Sequence, residues 1–130
     1  MMARVCTQAS AIRLGLPGRT SLEIVSGAFG AQSMTLRLAA IPPEQPGAQP
    51  RGPHHHGCEE CIFVLSGNGR TFADSGEFAL NPGDSILIPA GENHVTRNTG
   101  TTPLLLLCFY PAADVAGGTV EPGLKGHGPS

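Results

Sequence analysis

Glycine and proline interrupt this chain so often that long helices have almost no room to form. The 130 residues include 18 glycines and 12 prolines, and both residue types destabilise the interior of a helix. The longest segment that lacks both is residues 1–14. Helix bundles and doubly wound α/β folds are therefore disfavoured. A chain of this length predicts a single domain that folds without a disulfide or a structural metal.

Short apolar segments separated by turn signals indicate an all-β protein. In residues 33–38, apolar and polar side chains alternate, which is the period of a half-buried strand. An Asp-Ser-Gly sequence at 74–76 predicts a hairpin. The predicted strands lie at 22–29, 33–38, 61–65, 70–73, 77–80, 85–88, 93–98 and 104–110. Eight short strands with frequent turns are typical of a β-sandwich or barrel.

The composition changes toward both ends of the chain and divides it into three parts. Residues 1–20 have weak periodicity and are predicted to be an N-terminal extension. Residues 21–111 contain the predicted strands and form the predicted β-barrel domain, interrupted by an irregular loop at 42–53 with five prolines. Residues 112–130 contain five glycines and two prolines, which predicts a flexible tail.

Charge and hydropathy exclude several classes of partner. A formal net charge of −2 provides no basic face for nucleic acid or an anionic membrane. No apolar segment approaches the ~20 residues of a transmembrane helix, and the N-terminus lacks the apolar stretch of a signal peptide. Four cysteines without a secretory signal indicate reduced thiols. We therefore expect a cytoplasmic protein.

One group of histidines, with a glutamate among them, has the composition of a metal site. His54 and His56, two residues apart on an extended chain, project toward the same side. Glu60 follows after a short bend, and His94 comes from a strand distant in sequence. Three imidazoles and a carboxylate would bind one divalent transition metal such as Fe, Mn, Ni or Zn. His55 points away from the side that His54 and His56 share, so we expect it at the surface or in contact with a metal ligand from outside the site.

The spacing of these residues resembles the two sequence motifs of the cupin family. The first motif contains two histidines, a glutamate and a glycine, matched here by His54, His56, Glu60 and Gly67. The second contains two glycines, a proline, a histidine and an asparagine, matched by Gly83, Pro89, Gly91, His94 and Asn98. The distance to Gly67 favours Glu60 over Glu59. One position departs from the pattern, because Ala48 stands where the first motif begins with glycine.

The resemblance extends over about residues 33–110, and the fifteen residues between the two motifs match small single-domain cupins. It implies a double-stranded β-helix, or jelly roll, that is commonly dimeric and holds its metal inside the barrel. The implied metal ligands are His54, His56, Glu60 and His94. The glycines and Pro89 supply turns, and Asn98 is interpreted as a turn former.

Two cysteines near the ligands invite a different interpretation. Cys58-x-x-Cys61 fits a redox or zinc motif, but the sequence contains no second cysteine pair. In a regular strand, Cys61 lies on the face opposite Glu60, so we favour a packing role; Cys58 is a lesser candidate for the pocket rim. By the same alternation, Ile62 and Val64 share the side of Glu60 and are predicted to form an apolar pocket wall.

The ligand set leaves three functions open. An iron centre would make a dioxygenase; Mn, Ni, Zn or Fe acting as a Lewis acid would make an isomerase or lyase of a sugar or organic acid; and a protein that only holds its ligand would be a binding module. Isomerases and lyases need a separate general base, and the candidates are few: Tyr110, His55, Glu92 and Lys125. We therefore favour a metal-dependent oxidoreductase of dioxygenase type.

The expected partners are a small molecule and a second copy of the chain. A divalent cation and one carboxylate leave about one net positive charge, which favours an anionic or enediol-like oxygen chelator, and hence a small oxygen-rich substrate. Four consecutive leucines at 104–107 would expose too much apolar surface on an isolated strand. We therefore expect a homodimer that covers this strand.

Overall fold

The all-β prediction is confirmed by a computed structural model that describes residues 2–47 and 52–120. Its secondary structure in those ranges consists of strands and 3₁₀ turns. The strands are β1 (Ile12–Leu14), β2 (Thr20–Val25), β3 (Thr35–Ile41), β4 (His55–His56), β5 (Glu60–Ser66), β6 (Gly69–Ala73), β7 (Gly76–Leu80), β8 (Ser85–Ile88), β9 (His94–Asn98), β10 (Leu104–Tyr110) and β11 (Thr119–Val120). The 3₁₀ turns are Gln8–Ser10, Gly27–Phe29 and Ala116–Gly118. Across these residues, no helix is long and apolar enough to cross a membrane.

The strands pair antiparallel in three sheets. The largest has the order β1-β2-β3-β10-β5-β8, the second has the order β7-β6-β9, and the third pairs β11 with β4. The predicted hairpin at 74–76 is present, since β6 and β7 are hydrogen-bonded neighbours. An isolated bridge between His54 and His94 connects the segment before β4 to β9. This bridge brings two distant parts of the chain, each carrying a histidine, side by side.

The core is built from the inward faces of β5 and β10, which are neighbours in the large sheet. Alternation along β10 buries Leu104, Leu106 and Tyr110. On β5 the predicted inner positions Ile62 and Val64 are 3% and 0% exposed. Because side chains on one strand face alternate with period two, the residue two positions before Ile62 also points inward. The fold therefore places the Glu60 carboxylate in the interior.

The predicted strand over 22–29 is too long, because the chain turns after Val25. The Ser26 side chain accepts a hydrogen bond from the Ala28 amide (3.3 Å), which caps a 3₁₀ turn in the manner of a helix N-cap. The Gly27 amide donates instead to the Ala113 carbonyl (2.9 Å). The chain therefore leaves the sheet after Val25.

Both ends of the described chain contribute to the fold. β1 lies within the predicted N-terminal extension and pairs with β2. In the predicted tail, Val115 is 3% exposed and β11 pairs with β4. Residues 121–130 of that tail, and Ala48 at the start of the first motif, lie outside the described residues.

Asn98 connects two strand ends as well as forming a turn. Its side-chain amide donates to the Ile41 carbonyl (2.9 Å) and to the Thr102 carbonyl (2.8 Å). Its carbonyl oxygen accepts from the Gly100 amide (2.8 Å). Asn98 is 2% exposed, and its bond to the Ile41 carbonyl is buried. The residue fixes the end of β9, the strand that begins with His94, against the end of β3.

Two motif glycines allow a direct test of the packing around the barrel. Gly67 and Gly83 have similar positive φ angles, 85° and 89°, so alanine at either position costs about 1–2 kcal/mol in backbone strain. A Cβ atom at Gly67 would lie 2.5 Å from the Pro103 carbonyl oxygen and 2.9 Å from Leu104 Cα, whereas one at Gly83 meets nothing within 4 Å. We expect Gly67→Ala to cost a further ~1–3 kcal/mol, measured by urea unfolding. Equal losses for the two variants would contradict this packing.

Candidate metal centre

The four residues with the predicted ligand spacing meet inside the barrel. One donor atom from each lies within 4.8 Å of all the others, and every one of these residues is buried. The ring centroids of the histidines are 4.5–5.5 Å apart. The cluster consists of His54, His56, Glu60 and His94. They come from three separate segments: the β4 region, the first residue of β5 and the first residue of β9.

The backbone fixes the relative positions of the histidines. His54 and His94 exchange two main-chain hydrogen bonds, 3.0 Å and 2.8 Å long. The His56 carbonyl accepts from the Gly91 amide (2.9 Å), and the Gly57 amide donates to the Gly118 carbonyl (2.8 Å). β4 is therefore held between the turn before β9 and the C-terminal segment.

The orientation of the His56 ring identifies which nitrogen carries the proton. Its Nδ1 lies 2.7 Å from the Thr119 hydroxyl oxygen, and that hydroxyl donates its single proton to the Val115 carbonyl (2.8 Å). The hydroxyl can therefore only accept from His56, so Nδ1 carries the hydrogen. In the neutral ring, Nε2 then presents a lone pair to the cluster. This Nε2 is buried without a hydrogen-bond partner.

His94 has the same tautomer for an independent reason. Its Nδ1 lies 2.9 Å from the Glu92 carbonyl oxygen, which is an acceptor only, so Nδ1 carries the hydrogen. The Nε2 atoms of His94 and His56 lie 2.9 Å and 3.2 Å from the same oxygen, Glu60 Oε1. Two neutral imidazoles would therefore direct lone pairs at a carboxylate oxygen. That arrangement requires a cation between them, either a proton or a metal ion.

Tyr110 orients the carboxylate at the centre of the cluster. Its hydroxyl donates to Glu60 Oε2 at 2.7 Å, which leaves Oε1 facing the histidines. Burial alone would raise the pKa of the Glu60 carboxyl, but hydrogen bonds from His56 and His94 and their charge, when protons occupy the space between the rings and the carboxylate, outweigh burial and hold this pKa well below the usual range. Burial and the nearby Glu60 charge raise the pKa of the Tyr110 hydroxyl. Glu60 is therefore an anion held by a neutral tyrosine.

The donor set has the chemistry of a transition-metal site. Imidazole nitrogen and carboxylate oxygen bind such metals at about 2.0–2.2 Å, so ligands on opposite sides of one ion are roughly 4.2 Å apart. The separations here, at most 4.8 Å, come close to that span. Metal-bound histidines ordinarily donate their other nitrogen to a carbonyl or oxygen partner, as His56 and His94 do here. The residues present fit one divalent cation.

The cluster lines a cavity of about 30 Å³. On the same measure a single water molecule needs ~10–15 Å³, so the space suits a small guest. Ile62 and Leu106 supply apolar wall, as predicted for Ile62. Val64, the other predicted wall residue, is buried in the core but does not line this cavity. The charged residues on the wall are Arg19, Arg37 and Glu60.

The remaining sequence candidates lie outside the cluster. His55 Nδ1 is 2.8 Å from the Asn93 side-chain oxygen, so the ring is turned away from its two neighbours. Cys61 is half-buried on the other face of β5 from Glu60, and Cys58 packs against the core. Both are free thiols, and neither lines the cavity. Their placement agrees with a packing role.

Sequence reasoning missed three residues of the site. The sequence indicates Tyr110 only as a candidate general base, although its alternation with Leu106 along 104–110 places it on the inner face. Thr119 lies in a glycine-rich segment that resembles a tail, and no sequence signal connects it to His56. Arg37 sits on the buried face of β3. The alternation at 33–38 predicts the opposite, because its apolar positions are Met34, Leu36 and Leu38, so the sequence places Arg37 on the outer face.

Comparison with known proteins agrees with this fold. The family model described as Cupin domain matches residues 43–110, more than half of the chain. The structure defines a class of protein, namely an all-β barrel with a buried cluster of three histidines and a glutamate. The chain belongs to the cupin family, and its jelly-roll fold is shared with solved structures. No curated protein sequence matches it significantly.

Two kinds of solved structure illustrate the similarity. The polyketide cyclase RemF from Streptomyces resistomycificus is 26% identical, with a TM-score of 0.73 over 97% of this chain and 89% of that one. Oxalate decarboxylases from Lactobacillus farciminis and Bacillus subtilis are 19% and 22% identical, with TM-scores of 0.73 and 0.74 over 88% of this chain. This chain spans only 34% and 31% of their lengths, and at that identity they show the fold alone.

The contact between Thr119 and His56 generates a prediction about metal affinity. Thr119→Val keeps the shape of this fully buried side chain but removes the acceptor for Nδ1. We expect affinity for Zn²⁺, measured by competition with a chromophoric chelator, to fall about 10–100-fold, the usual effect of losing such a partner. Thr119→Ser keeps the hydroxyl and should stay within about threefold of the parent protein. Unchanged affinity in a folded Thr119→Val protein would contradict the assignment.

Proposed function

We propose that this cupin is a metal-dependent enzyme of dioxygenase type that acts on a small, oxygen-rich organic molecule. The proposed ligands of its single divalent transition metal are His54, His56, Glu60 and His94. The observation that supports this most directly is the pair of Nδ1 hydrogen bonds, which direct the Nε2 lone pairs of His56 and His94 toward Glu60. Fe, Mn, Ni or Zn suits these donors, and iron would supply the oxygen chemistry.

The cavity wall favours chemistry that depends on the metal. Isomerisation and elimination require a positioned base besides the ligands. Among the described residues that line the cavity, the cluster supplies every imidazole and carboxylate. The Tyr110 hydroxyl is engaged as a donor to Glu60, and His55 faces Asn93. These contacts support an oxidoreductase over a conventional proton-transfer enzyme.

A second candidate function is Lewis-acid catalysis on a carbonyl or enol substrate. The likeness to the polyketide cyclase RemF, which extends over 89% of that chain, favours it. In this alternative a redox-inert cation such as Zn²⁺ polarises a substrate oxygen, and the protein positions the reacting chain. A third candidate function is that of a binding module, which holds a small molecule without converting it.

Oxygen consumption separates these functions. The metal-free protein is reconstituted with Fe²⁺ or Zn²⁺ and given a panel of diols, catechols, β-diketones and thiols. We expect oxygen uptake with at least one compound, only in the iron form. Absence of uptake across the panel would refute the dioxygenase. Solvent deuterium incorporation by the zinc form would then support Lewis-acid catalysis, and retention without conversion would support a binding module.

Adjacent histidines provide a matched test of the ligand assignment. We expect His56→Ala to lose bound metal, measured by elemental analysis, because one of four donors is removed. His55→Ala should retain about one metal per chain, because its ring faces Asn93. Both proteins should keep their β-rich circular dichroism spectrum, since the core does not depend on the metal. Metal retention in His56→Ala, or global unfolding when metal is removed, would contradict this proposal.

We also infer a homodimer formed through the outer face of the large sheet. Four large side chains on this face remain substantially exposed: Phe63 (37%), Leu65 (44%), Leu87 (64%) and Phe109 (41%). Their strands are neighbours, with Phe63 opposite Leu107 and Phe109 opposite both Leu36 and Cys61. A contiguous apolar face of this kind marks an interaction surface, and a second copy presents the same face.

Light scattering at micromolar concentration tests the homodimer. We expect the mass of two chains for the parent protein and of one chain for Phe109→Glu, because a charge at the interface would lose its hydration. Phe78→Glu introduces the same change at a similarly exposed phenylalanine (40%) on the three-stranded sheet, and it should remain dimeric. A strictly monomeric parent protein would refute the inference.

The four cysteines are free thiols, and a cytoplasmic location stays a prediction.

A further inference from the structure

One part of the cavity wall reaches the surface of the protein. Among the residues at 2–47 and 52–120 that line the cavity, all are buried except Leu16 and Arg19, which are half-buried. Both belong to the connection between β1 and β2, residues 15–19. A wall residue that also contacts solvent lies where the cavity meets the surface. The β1–β2 connection therefore borders the mouth of this cavity.

The hairpin formed by β1 and β2 ends at the level of the cavity. Its last paired residues are Leu14 and Ser21, and Ser21 in turn faces Ala39 of β3. Ser21 and Ala39 are each 3% exposed and line the cavity. The chain therefore leaves β1 and returns to β2 directly beside the cavity wall, and this places the side chain of Leu16 at the mouth.

Two features hold the connection in a defined position. Pro17 and Gly18, whose φ angle is 74°, suit the two central positions of a type II turn. The Arg19 Nη2 donates to the Thr96 carbonyl at 3.4 Å, and Thr96 of β9 also lines the cavity. Since β2 and β9 belong to different sheets, this bond fastens the connection across the mouth. Leu16 is therefore held beside the opening.

The side chain of Leu16 can act on an entering molecule only through its size and its apolar character. The space behind it measures about 30 Å³, which has room for only a small guest. A branched aliphatic side chain at the mouth of so small a space narrows the route to the histidine–glutamate cluster. Shortening it widens that route and leaves the four cluster residues unchanged.

We propose that the β1–β2 connection forms the entrance of the cavity and that Leu16 determines the size of the molecules that enter. The role is steric, so it is separate from the binding of a cation by the cluster. The inference rests on the proposed function for the view that a substrate passes this entrance. The entrance itself exists with or without a metal.

Cys108 provides a probe of entry that requires no metal. Its free thiol lines the cavity, and the residue is 7% exposed. Methyl and propyl methanethiosulfonate carry the same reactive group at different sizes. In the reaction the cysteine loses its proton, its sulfur forms a disulfide with the alkylthio group, and methanesulfinate leaves. Peptide mass spectrometry of the metal-free protein gives the labelling rate at each cysteine, and the ratio of methyl to propyl rates measures size selection.

The expected ratios follow from the dependence of thiol exchange on access. We expect a ratio of about ten at Cys108 in the parent protein and about one at Cys58, a half-buried cysteine outside the cavity. Leu16→Ala should lower the ratio at Cys108 to about three, and Leu16→Phe should raise it above the parent value. The same ratio in the parent protein and in Leu16→Ala would overturn the proposal.

A control in the same hairpin separates the entrance from a loss of stability. Ile12→Ala shortens an exposed side chain (41%) that does not line the cavity, so it should keep the parent ratio; an equal decrease there would contradict the role of Leu16. An increased ratio in Leu16→Phe cannot arise from lost stability. If that variant fails to fold, the contrast between Leu16→Ala and Ile12→Ala decides. If the protein binds no metal, the proposed function fails, while these ratios still confirm or refute the entrance.

Discussion

A buried carboxylate is the constraint on which the rest of this structure depends. Glu60 is 3% exposed, and an ionised carboxylate in such a place is costly unless donors or cations surround it. Tyr110 provides a donor at 2.7 Å, and His56 and His94 approach the other oxygen. These partners come from β10, β4 and β9. The requirement to satisfy one side chain therefore fixes the register of strands that are far apart in sequence.

The hydrogen bonds that orient the imidazole rings extend this constraint to the C-terminal segment. Thr119 can hold His56 in its tautomer only because its own proton is committed to the Val115 carbonyl. Val115 is buried in the core, so the orientation of the imidazole depends on the packing of residues after β10. The first part of this segment belongs structurally to the site, although its glycine content resembles that of a linker.

The sequence predicted the parts of the site that local geometry determines. Alternation along an extended chain separated His55 from His54 and His56, and it placed Ile62 on the side of Glu60. The contacts of Thr119, Arg19 and Arg37 could not be predicted in this way, because each depends on a partner at least fourteen positions away. The end of β2 was missed because the Gly27 amide bonds to Ala113, a tertiary contact that overrides the apolar character of 22–29.

Strand β10 connects the interior of the barrel to its exposed apolar face. Leu106, Cys108 and Tyr110 point inward, whereas Leu107 and Phe109 point outward between them. β10 is stiff along its length because both of its edges are hydrogen-bonded, one to β3 and the other to β5. A partner packed on Phe109 therefore restrains the backbone that positions the Tyr110 hydroxyl against Glu60. Because β10 contributes both to the apolar outer face and to the polar cluster, a partner that covers the outer face also stabilises the geometry of the cluster.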